Sequence, residues 1–383
     1  MEGPSGGGMS GAVEQSGVQQ SDAQVGAAAP APVKRLLTGD RPTGQLHLGH
    51  LVGSIQNRVK LQAEYDTYIL IADLHMLTTK RSPEDIQEIG ENVRSILLDY
   101  LAAGIDPAHA KIYLQSAIPE VYELNTLLQN FVTVNRLSRL PALKEMAKNA
   151  NLDEDSIPYG LLGYPVLQAA DILLPKAHIV PVGPDNLAQV EITREIARRF
   201  NQTYGEVFVE PTPMVGVERA LIGTDGKGKM SKSAGNSILL SDDKKTLEKK
   251  IRKMYTDPKR VHADIPGTVE GNPVFEYHRV FNPDQAEVDE LALRYTQGGV
   301  GDGEVKDRLV VAMTRFMEPL WERRAHYANQ PDLLDDVLWE GTLSMQRLAA
   351  QTMREVRKAM GMSRTMDKLR KRMEKRARKA TSA

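Results

Sequence analysis

Two histidines three residues apart, His47 and His50, are the first residues whose spacing suggests chemistry. They lie in the glycine-rich stretch 38–50, between a strand predicted over 33–37 and a helix predicted over 48–61 from the spacing of apolar residues. A glycine turn that leads into a helix presents free backbone N–H groups to a phosphate chain. The two imidazoles lie on one face of the first helical turn and can donate hydrogen bonds there without adding a large cation. This arrangement suits chemistry at the α-phosphate of ATP.

Two simpler interpretations of the histidine pair stay open at this point. Histidines on a helix also bind metals, although this spacing is short for a helical pair, and no cysteine or acidic cluster stands beside it. They could equally be ordinary polar residues at the start of a helix.

A second candidate stretch, residues 226–236, follows in the other half of the chain. It is a glycine-flanked loop with two lysines three apart, Lys229 and Lys232, and with hydroxyls at Ser231 and Ser233. A flexible cationic loop can close on a pyrophosphate leaving group and neutralise the charge that grows in the transition state. A solvated basic loop is the plain alternative, but the two stretches together favour nucleotide chemistry.

The composition describes an ordinary globular protein. The chain has 383 residues, 41% hydrophobic and 26% charged, and its length predicts two domains. The absence of cysteine excludes disulfides and cysteine-based zinc sites or nucleophiles. No apolar run reaches the length of about 18 residues that a membrane helix needs, and no signal peptide is apparent, so we expect a cytoplasmic protein without a membrane partner.

The two ends of the chain differ in composition from its middle. Residues 1–32 are mainly Gly, Ser, Ala, Gln and Pro, which predicts disorder. Residues 341–383 contain 13 Lys and Arg against 3 Asp and Glu. This excess of positive charge indicates an anionic partner, unless it is simply a solvated basic helix.

The elements that position these stretches alternate between strand and helix. Strands are predicted over 67–72, 111–115 and 179–182, with helices between them, which predicts an α/β fold with a doubly wound, Rossmann-type parallel sheet. Residues 117–165 interrupt this order with helical segments. Further helices are predicted over 242–255, 285–296, 304–329 and 343–360, before a basic tail.

Asp171 is a lone carboxylate on an apolar helical stretch, 164–174. Because a buried carboxylate needs a hydrogen-bond partner, Asp171 either bonds to the backbone or accepts a hydrogen bond from a substrate N–H or O–H. Polar groups at the carboxyl ends of strands, Asp73, His75 and Asp185, would lie at the edge where open α/β sheets bind ligands.

The paired motifs His47-Leu48-Gly49-His50 and Lys229-Met230-Ser231-Lys232-Ser233 resemble the signature of class I aminoacyl-tRNA synthetases. The resemblance implies a catalytic domain over 33–224, with the insertion 117–165 forming a homodimer interface. It further implies a mobile loop over 225–236, an anticodon-binding helical domain over 237–330, and C-terminal helices with a basic tail over 331–383. The insertion is too short for a hydrolytic editing domain.

The block around Asp171, with Val180-Pro181-Val182-Gly183 and the helix that follows, resembles tryptophanyl-tRNA synthetases. In that family the matching Asp accepts the indole N–H. Tyrosyl enzymes place a Tyr on the first strand, where this chain has Leu37, so tryptophan is favoured and tyrosine is the alternative.

The resemblance implies ATP-dependent ligation of L-tryptophan to tRNA(Trp), with Mg²⁺ held mainly by the ATP phosphates and not by a protein metal site. The implied catalytic residues are His47, His50, Lys229 and Lys232. The implied ATP-binding residues are Arg41, Gly49, Gly183, Asp185, Met230, Ser231 and Ser233. The implied tryptophan-binding residues are Leu37, His75, Tyr164, Gln168, Asp171, Val180 and Val182.

The chain also departs from the usual tryptophan pattern. His47, His50, Gln168 and Arg41 stand where bacterial members commonly have Thr, Asn, Met and Gln, and residues 186–189 replace part of an Asp-Gln-x-x-His-like pattern. A divergent second copy of the enzyme, or an auxiliary paralogue that binds tryptophan, RNA or a partner protein, is therefore an alternative. Small nucleotidyltransferases share the first motif, but they would leave the helical second half unexplained.

Overall fold

The structure, a computed structural model, describes Met1 and residues 33–149, 152–153, 156–216 and 220–381. The predicted disordered segment 1–32 lies outside the described residues apart from Met1. Residues Val33–Ala383 form one compact unit. Among the helices of the described part, none combines the length and apolar character needed to span a membrane.

The sheet has five parallel strands in the order β3-β2-β1-β4-β5. They are β1 (Arg35–Asp40), β2 (Asp66–Ile71), β3 (Ala110–Leu114), β4 (Ile179–Val182) and β5 (Thr212–Val215). The prediction of a doubly wound parallel sheet is confirmed. Because the chain builds outward from β1 to β3 and then returns to the other side of β1, the switch point lies between β1 and β4, where such sheets bind ligands.

Strand β1 extends further toward the C-terminus than predicted. It ends at Asp40 and not at residue 37, since Thr38 to Asp40 pair with Ile69 to Ile71 of β2. The first glycine of the candidate stretch is therefore inside the sheet, and a Cβ at Gly39 would lie 2.1 Å from the carbonyl oxygen of Leu70. Strand β5, Thr-Pro-Met-Val, was not predicted, because it is short and contains a proline.

The helices before β5 are α1 (Leu48–His50), α2 (Gln56–Leu61), α3 (Pro83–Ala103), α4 (Pro119–Leu128), α5 (Val134–Ser138), α6 (Pro141–Asn149), α7 (Tyr159–Leu173) and α8 (Leu187–Tyr204). Those after it are α9 (Lys244–Arg252), α10 (Pro273–Phe281), α11 (Gln285–Gln297), α12 (Asp302–Ala328), α13 (Pro331–Ala359) and α14 (Arg364–Thr381). A π-helical turn, Leu51–Ile55, joins α1 to α2 and confirms a continuous helical segment after the histidines. Helix α10 was not predicted.

Two clusters of buried side chains occupy the two faces of the sheet. Alternate residues of β2 point to opposite faces, so Ile69 and Ile71 belong to one cluster, while Tyr68 and Leu70 belong to the other. The first cluster joins α1–α3 to α9–α12, and the second joins α4–α8 to α13. The histidine turn and most of the C-terminal helices therefore share one hydrophobic core.

Helix α13 covers the outer edge of the sheet along β3. A Cβ at Gly341 would lie 1.9 Å from the carbonyl oxygen of Ile112, so the helix and strand backbones approach as closely as glycine allows. The backbone N–H of Leu114 donates to Thr342 Oγ1 at 3.3 Å. This contact protects an otherwise open strand edge from pairing with another chain.

Candidate active site

The two histidines stack at the carboxyl end of β1. His47 caps helix α1, and its ring centroid lies 3.7 Å from that of His50, with 31° between the ring planes. The backbone N–H of His47 donates to His50 Nδ1 at 3.1 Å, which fixes the second ring. His47 Nδ1 is buried and has no hydrogen-bond partner within the described residues. A buried ring nitrogen in this state is available to a bound oxygen.

Both histidines are held neutral at physiological pH. Burial, reinforced by neighbouring His50, Lys232 and Lys229, lowers the pKa of His47 to about 3. Burial lowers the pKa of His50 to about 4, although Asp40 acts in the opposite direction. A neutral imidazole can donate one hydrogen bond to a phosphate without adding a charge.

Gly49 lies where the histidine turn meets the lysine loop. Its N–H donates to Met230 Sδ at 3.4 Å, and Met230 is only 2% exposed. A Cβ at Gly49 would lie 2.9 Å from His47 Nδ1 and 3.6 Å from Met230 Cβ. A larger residue would therefore push His47 out of position or lift Met230 away from the turn.

The lysine loop is docked on the histidine turn. Lys232 Nζ donates to the carbonyl oxygen of Thr43 at 2.7 Å, and burial lowers the pKa of Lys232. Lys229 is exposed, and the Oγ atoms of Ser231 and Ser233 lie 2.9 Å apart. The structure thus brings the two predicted stretches together, with one lysine anchored and the other facing solvent.

The shape of the loop depends on two polar residues that the sequence analysis did not identify, Asp225 and Asn236. The backbone N–H of Ser231 donates to Asn236 Oδ1 at 2.8 Å, and Asn236 Nδ2 donates to Asp225 Oδ1 at 3.0 Å. Gly226, Gly228 and Gly235 all have positive φ, which permits the loop's tight turns. The sequence signal was the Asn and Asp beside these glycines, a composition typical of structured turns.

A buried ion pair supports the turn from the β1 side. Asp40 accepts from Arg58 Nη2 at 3.0 Å and from the hydroxyl of Tyr100 at 2.6 Å. Burial alone would raise the pKa of Asp40, but the Arg58 guanidinium outweighs it and lowers this pKa to about 2. This network was not predicted, because its members lie 18 and 60 residues apart in the sequence.

Asp171 does not stand alone in its pocket. Its Oδ2 lies 3.0 Å from His75 Nε2, and Gln115 Nε2 donates to its two oxygens at 2.9 and 2.8 Å. Asp171 is 3% exposed, and burial raises its pKa against the opposing effect of these two donors. Gln115 was missed as a pocket residue, although it follows β3 at the same sheet edge as His75.

The remaining pocket residues surround this cluster. The Tyr164 hydroxyl accepts from Gln189 Nε2 at 3.1 Å, and the Tyr164 ring meets the His75 ring edge to face at 6.4 Å. Gln189 is buried, and its Oε1 has no hydrogen-bond partner in the described part of the chain. Burial raises the pKa of Tyr164, although the hydrogen bond from Gln189 and the charge of the exposed Arg41 act in the opposite direction.

The other predicted binding residues come from β1, α7 and the end of β4. Leu37 and Val180 are buried, Val182 and Gln168 are half-buried, Gly183 is buried and Asp185 is exposed. The carboxyl ends of β1 and β4 are neighbours in the sheet, so these residues lie on the two sides of the switch point. No group of three or more His, Asp or Glu suited to a metal occurs among the residues that the structure describes.

Comparison with known proteins agrees with this geometry. The sequence pattern of the tRNA synthetases class I (W and Y) matches residues 32–318. A tryptophan–tRNA ligase of Chlamydia caviae is 54% identical over 333 residues, covering 86% of this chain and 96% of that protein. Another, of Treponema pallidum, is 56% identical over 329 residues, covering 86% of this chain and 97% of that protein.

A solved structure gives the same result for the fold. The crystal structure of tryptophanyl-tRNA synthetase from Campylobacter jejuni, complexed with ADP and tryptophan, is 33% identical to this chain with a TM-score of 0.76. The match covers 85% of this chain and 99% of that one. The chain therefore belongs to the class I tRNA synthetases, in the tryptophanyl-tRNA synthetase group.

Proposed function

We propose that this enzyme ligates L-tryptophan to tRNA(Trp) with ATP, through a tryptophanyl-adenylate. The observation that carries the proposal is the docking of the lysine loop on the histidine turn, with Lys232 Nζ 2.7 Å from the Thr43 carbonyl oxygen. Through this contact the cationic loop lies beside the uncharged imidazoles, at the carboxyl edge of the sheet, and open α/β sheets bind their ligands at that edge. Asp171 lies near the same edge, because it contacts His75, which follows β2, and Gln115, which follows β3.

In the first step, the tryptophan carboxylate attacks the α-phosphate of ATP and pyrophosphate leaves. No protein nucleophile is needed, so the enzyme acts by positioning the reactants and by stabilising charge. His47 and His50 would contact the phosphates and ribose, while Lys229 and Lys232 would neutralise the charge that moves onto pyrophosphate. Mg²⁺ would be held mainly by the ATP phosphates.

The rest of the nucleotide would be bound by residues on both sides of the switch point. The Met230 backbone would contact the adenine, and Asp185 with Gly183 would bind the ribose hydroxyls. Arg41, Gly49, Ser231 and Ser233 would complete the ATP site. The contact of Gly49 with Met230 supports this assignment, because it joins the turn to the loop at the position where the nucleotide must be enclosed.

The pocket chemistry favours the indole over the phenol. An ionised carboxylate is an acceptor only, and two oxygens offer about four acceptor positions, so Asp171 can keep His75 and Gln115 and still accept the indole N–H. The slot for the indole ring of tryptophan would be lined by Tyr164, Gln168, Val180 and Val182. Leu37 offers no polar partner to a phenol hydroxyl, and a buried hydroxyl without a partner is costly.

In the second step, the terminal ribose hydroxyl of the tRNA attacks the adenylate carbonyl. The helical region 237–330 would contact the anticodon arm. The enzyme would meet its tRNA in the cytoplasm, as a homodimer formed through residues 117–165. Three large apolar side chains of this insertion, Tyr122, Val134 and Tyr159, are 48%, 66% and 65% exposed, which supports an interface there.

The test of the reaction is amino-acid-dependent exchange of labelled pyrophosphate into ATP, with tryptophan and tyrosine compared side by side. We expect exchange with tryptophan only. Asp171→Asn, which puts an N–H donor opposite the indole N–H, should lower kcat/KM for tryptophan by about 10- to 100-fold. Thermal unfolding of the variant controls for loss of structure.

Exchange with tyrosine would keep the fold and the reaction but overturn the choice of amino acid. No exchange with either amino acid, together with tight tryptophan binding, would favour an auxiliary paralogue. Transfer of adenylate to an acceptor other than tRNA would favour a nucleotidyltransferase.

A further inference from the structure

Helix α14, Arg364–Thr381, is a strongly basic helix at the end of the chain. It contains nine Lys and Arg against two acidic residues, Asp367 and Glu374. Every residue from Arg364 to Arg378 is exposed. The family pattern matches residues 32–318, so this helix lies outside the matched region.

The charge on α14 is concentrated on one side. At 3.6 residues per turn, Lys368, Lys371 and Lys375 lie together on the face opposite the apolar residues Met366 and Met373. These three lysines take part in none of the salt bridges found within the described residues. A row of lysines spaced by three and four residues can meet successive phosphates of a nucleic acid backbone.

We propose that the lysine face of α14 is a second tRNA-binding surface that contacts the sugar–phosphate backbone irrespective of sequence. This proposal takes tRNA as the partner because tRNA is the polyanion that the proposed reaction requires. Such a surface adds affinity and speeds encounter, while the choice of tRNA stays with other contacts. It accounts for three exposed lysines that take part in none of the salt bridges of the described residues.

A second copy of the chain fits this helix less well than RNA. Met366, Leu369 and Met373 follow the 3-and-4 spacing of a coiled-coil seam, but Arg376 occupies the next seam position. Arg370 and Arg372 would flank the seam, and no acidic residue of α14 occupies a flanking position from which it could pair with them across a parallel dimer. The apolar face formed by Met366, Leu369 and Met373 is also short and contains no Trp or Phe, which disfavours insertion into a lipid surface.

The test compares two full-length variants that differ only in charge. One carries Lys368→Gln, Lys371→Gln and Lys375→Gln, and the control carries Arg at the same three positions. Binding of tRNA(Trp) transcript and of an unrelated tRNA transcript is measured over a range of salt concentrations. Pyrophosphate exchange, which needs no tRNA, is measured in parallel.

We expect the Gln variant to bind both transcripts roughly tenfold more weakly at low salt, with the slope of log K against log salt reduced by about two. The Arg control should bind like the unmodified chain, and exchange should be unchanged in both variants. Pyrophosphate exchange tests amino-acid activation independently of tRNA binding. Failure of the proposed reaction can therefore be distinguished from failure of the proposed tRNA-binding surface.

Equal tRNA binding and equal salt slopes in the Gln variant and its Arg control would overturn the proposal. The proposal would also be overturned if the Gln variant kept its binding to tRNA and lost only binding to vesicles that contain anionic lipid. That result would assign the lysine face to a membrane surface. A concentration-dependent dimer that Met366→Gln with Met373→Gln abolishes, without any effect of the lysine changes on RNA binding, would assign the helix to self-association.

Discussion

Arg324 Nε of helix α12 donates to Asp99 Oδ1 at 3.1 Å. The other oxygen of Asp99 accepts from the backbone N–H of Leu46, one residue before His47, at 2.8 Å. Asp99 is completely buried, and burial raises its pKa against the effect of these two donors. One carboxylate on α3 therefore ties the histidine turn to the C-terminal helices.

This relationship predicts that Arg324→Gln destabilises the protein and also slows amino-acid activation. Removing the cation leaves a buried carboxylate with a weaker partner, which should lower the free energy of unfolding by about 3 kcal/mol. Movement of Asp99 would then loosen Leu46 and the adjacent His47. Urea unfolding and pyrophosphate exchange, measured on the same preparation, test both effects.

The matched control is Arg323→Gln on the same helix. Arg323 Nε donates at 2.7 Å to the neutral carbonyl oxygen of Ala102. Loss of this bond should cost only about 1 kcal/mol and leave exchange unchanged. If the two variants lost equal stability and activity, the link through Asp99 would have no special role.

The contact at Gly49 predicts a different kind of effect. Gly49→Ala would bring a methyl group to 2.9 Å from His47 Nδ1, so the ring must shift. A displacement of this size at a positioning group can slow a reaction about 100-fold. We therefore expect a large fall in the exchange rate with a stability loss of only about 1–3 kcal/mol.

Gly53 provides the control in the same helical segment. A Cβ at Gly53 would meet no atom within 4 Å. Gly53→Ala should keep full activity and leave stability equal or slightly higher, because Ala restricts the unfolded chain. Near-normal exchange by Gly49→Ala would argue against the proposed role of His47.

Much of the fold was predictable from local sequence. Helix α3 has a local signal at each end, because Ser82 caps its first turn and Gly104, whose φ is 106°, caps its last. The parallel sheet followed from the alternation of strands and helices. Strand β5 and helix α10 were missed, because a four-residue strand and a nine-residue helix give too short a pattern to separate from loops.

The site was predictable to the extent that its residues are close in sequence. The histidine turn and the lysine loop were each found from their own motif. Their supporting partners were not, because Asp99 meets Arg324 across 225 residues and Gln115 meets Asp171 across 56. Such pairs are set by tertiary packing, and a single sequence carries no local pattern for them.

Lys232 and Lys227 should differ in their effect on the reaction although both are lysines of one loop. Lys232 is anchored at 2.7 Å to the Thr43 carbonyl oxygen, whereas the Lys227 side chain is exposed. Lys232→Met should lower kcat for exchange by about 10²- to 10³-fold, the usual cost of removing one group that stabilises transition-state charge. The KM for tryptophan should change little.

Lys227→Met is the control and should keep kcat within a factor of about two, because its charge is screened by solvent. Exchange kinetics over a range of tryptophan and ATP concentrations separate kcat from KM. Equal losses in the two variants would indicate that the loop acts through its overall charge and not through the docked lysine.

The two neutral histidines predict how stability depends on pH. The pKa of His47 is lowered from 6.5 to about 3 in the folded chain. Between these pH values His47 is therefore protonated in the unfolded chain but stays neutral in the folded chain. The free energy of unfolding should therefore fall as the pH drops from about 6.5 toward 3, with His47 contributing up to about 1.4 kcal/mol per pH unit. His47→Asn should remove this contribution and flatten the pH dependence between pH 6.5 and 4.5. The control is His262→Asn, the same replacement at an exposed histidine outside the site. Urea unfolding at several pH values measures the slopes, and parallel curves for His47→Asn and the unmodified chain would mean that His47 titrates normally in the folded enzyme.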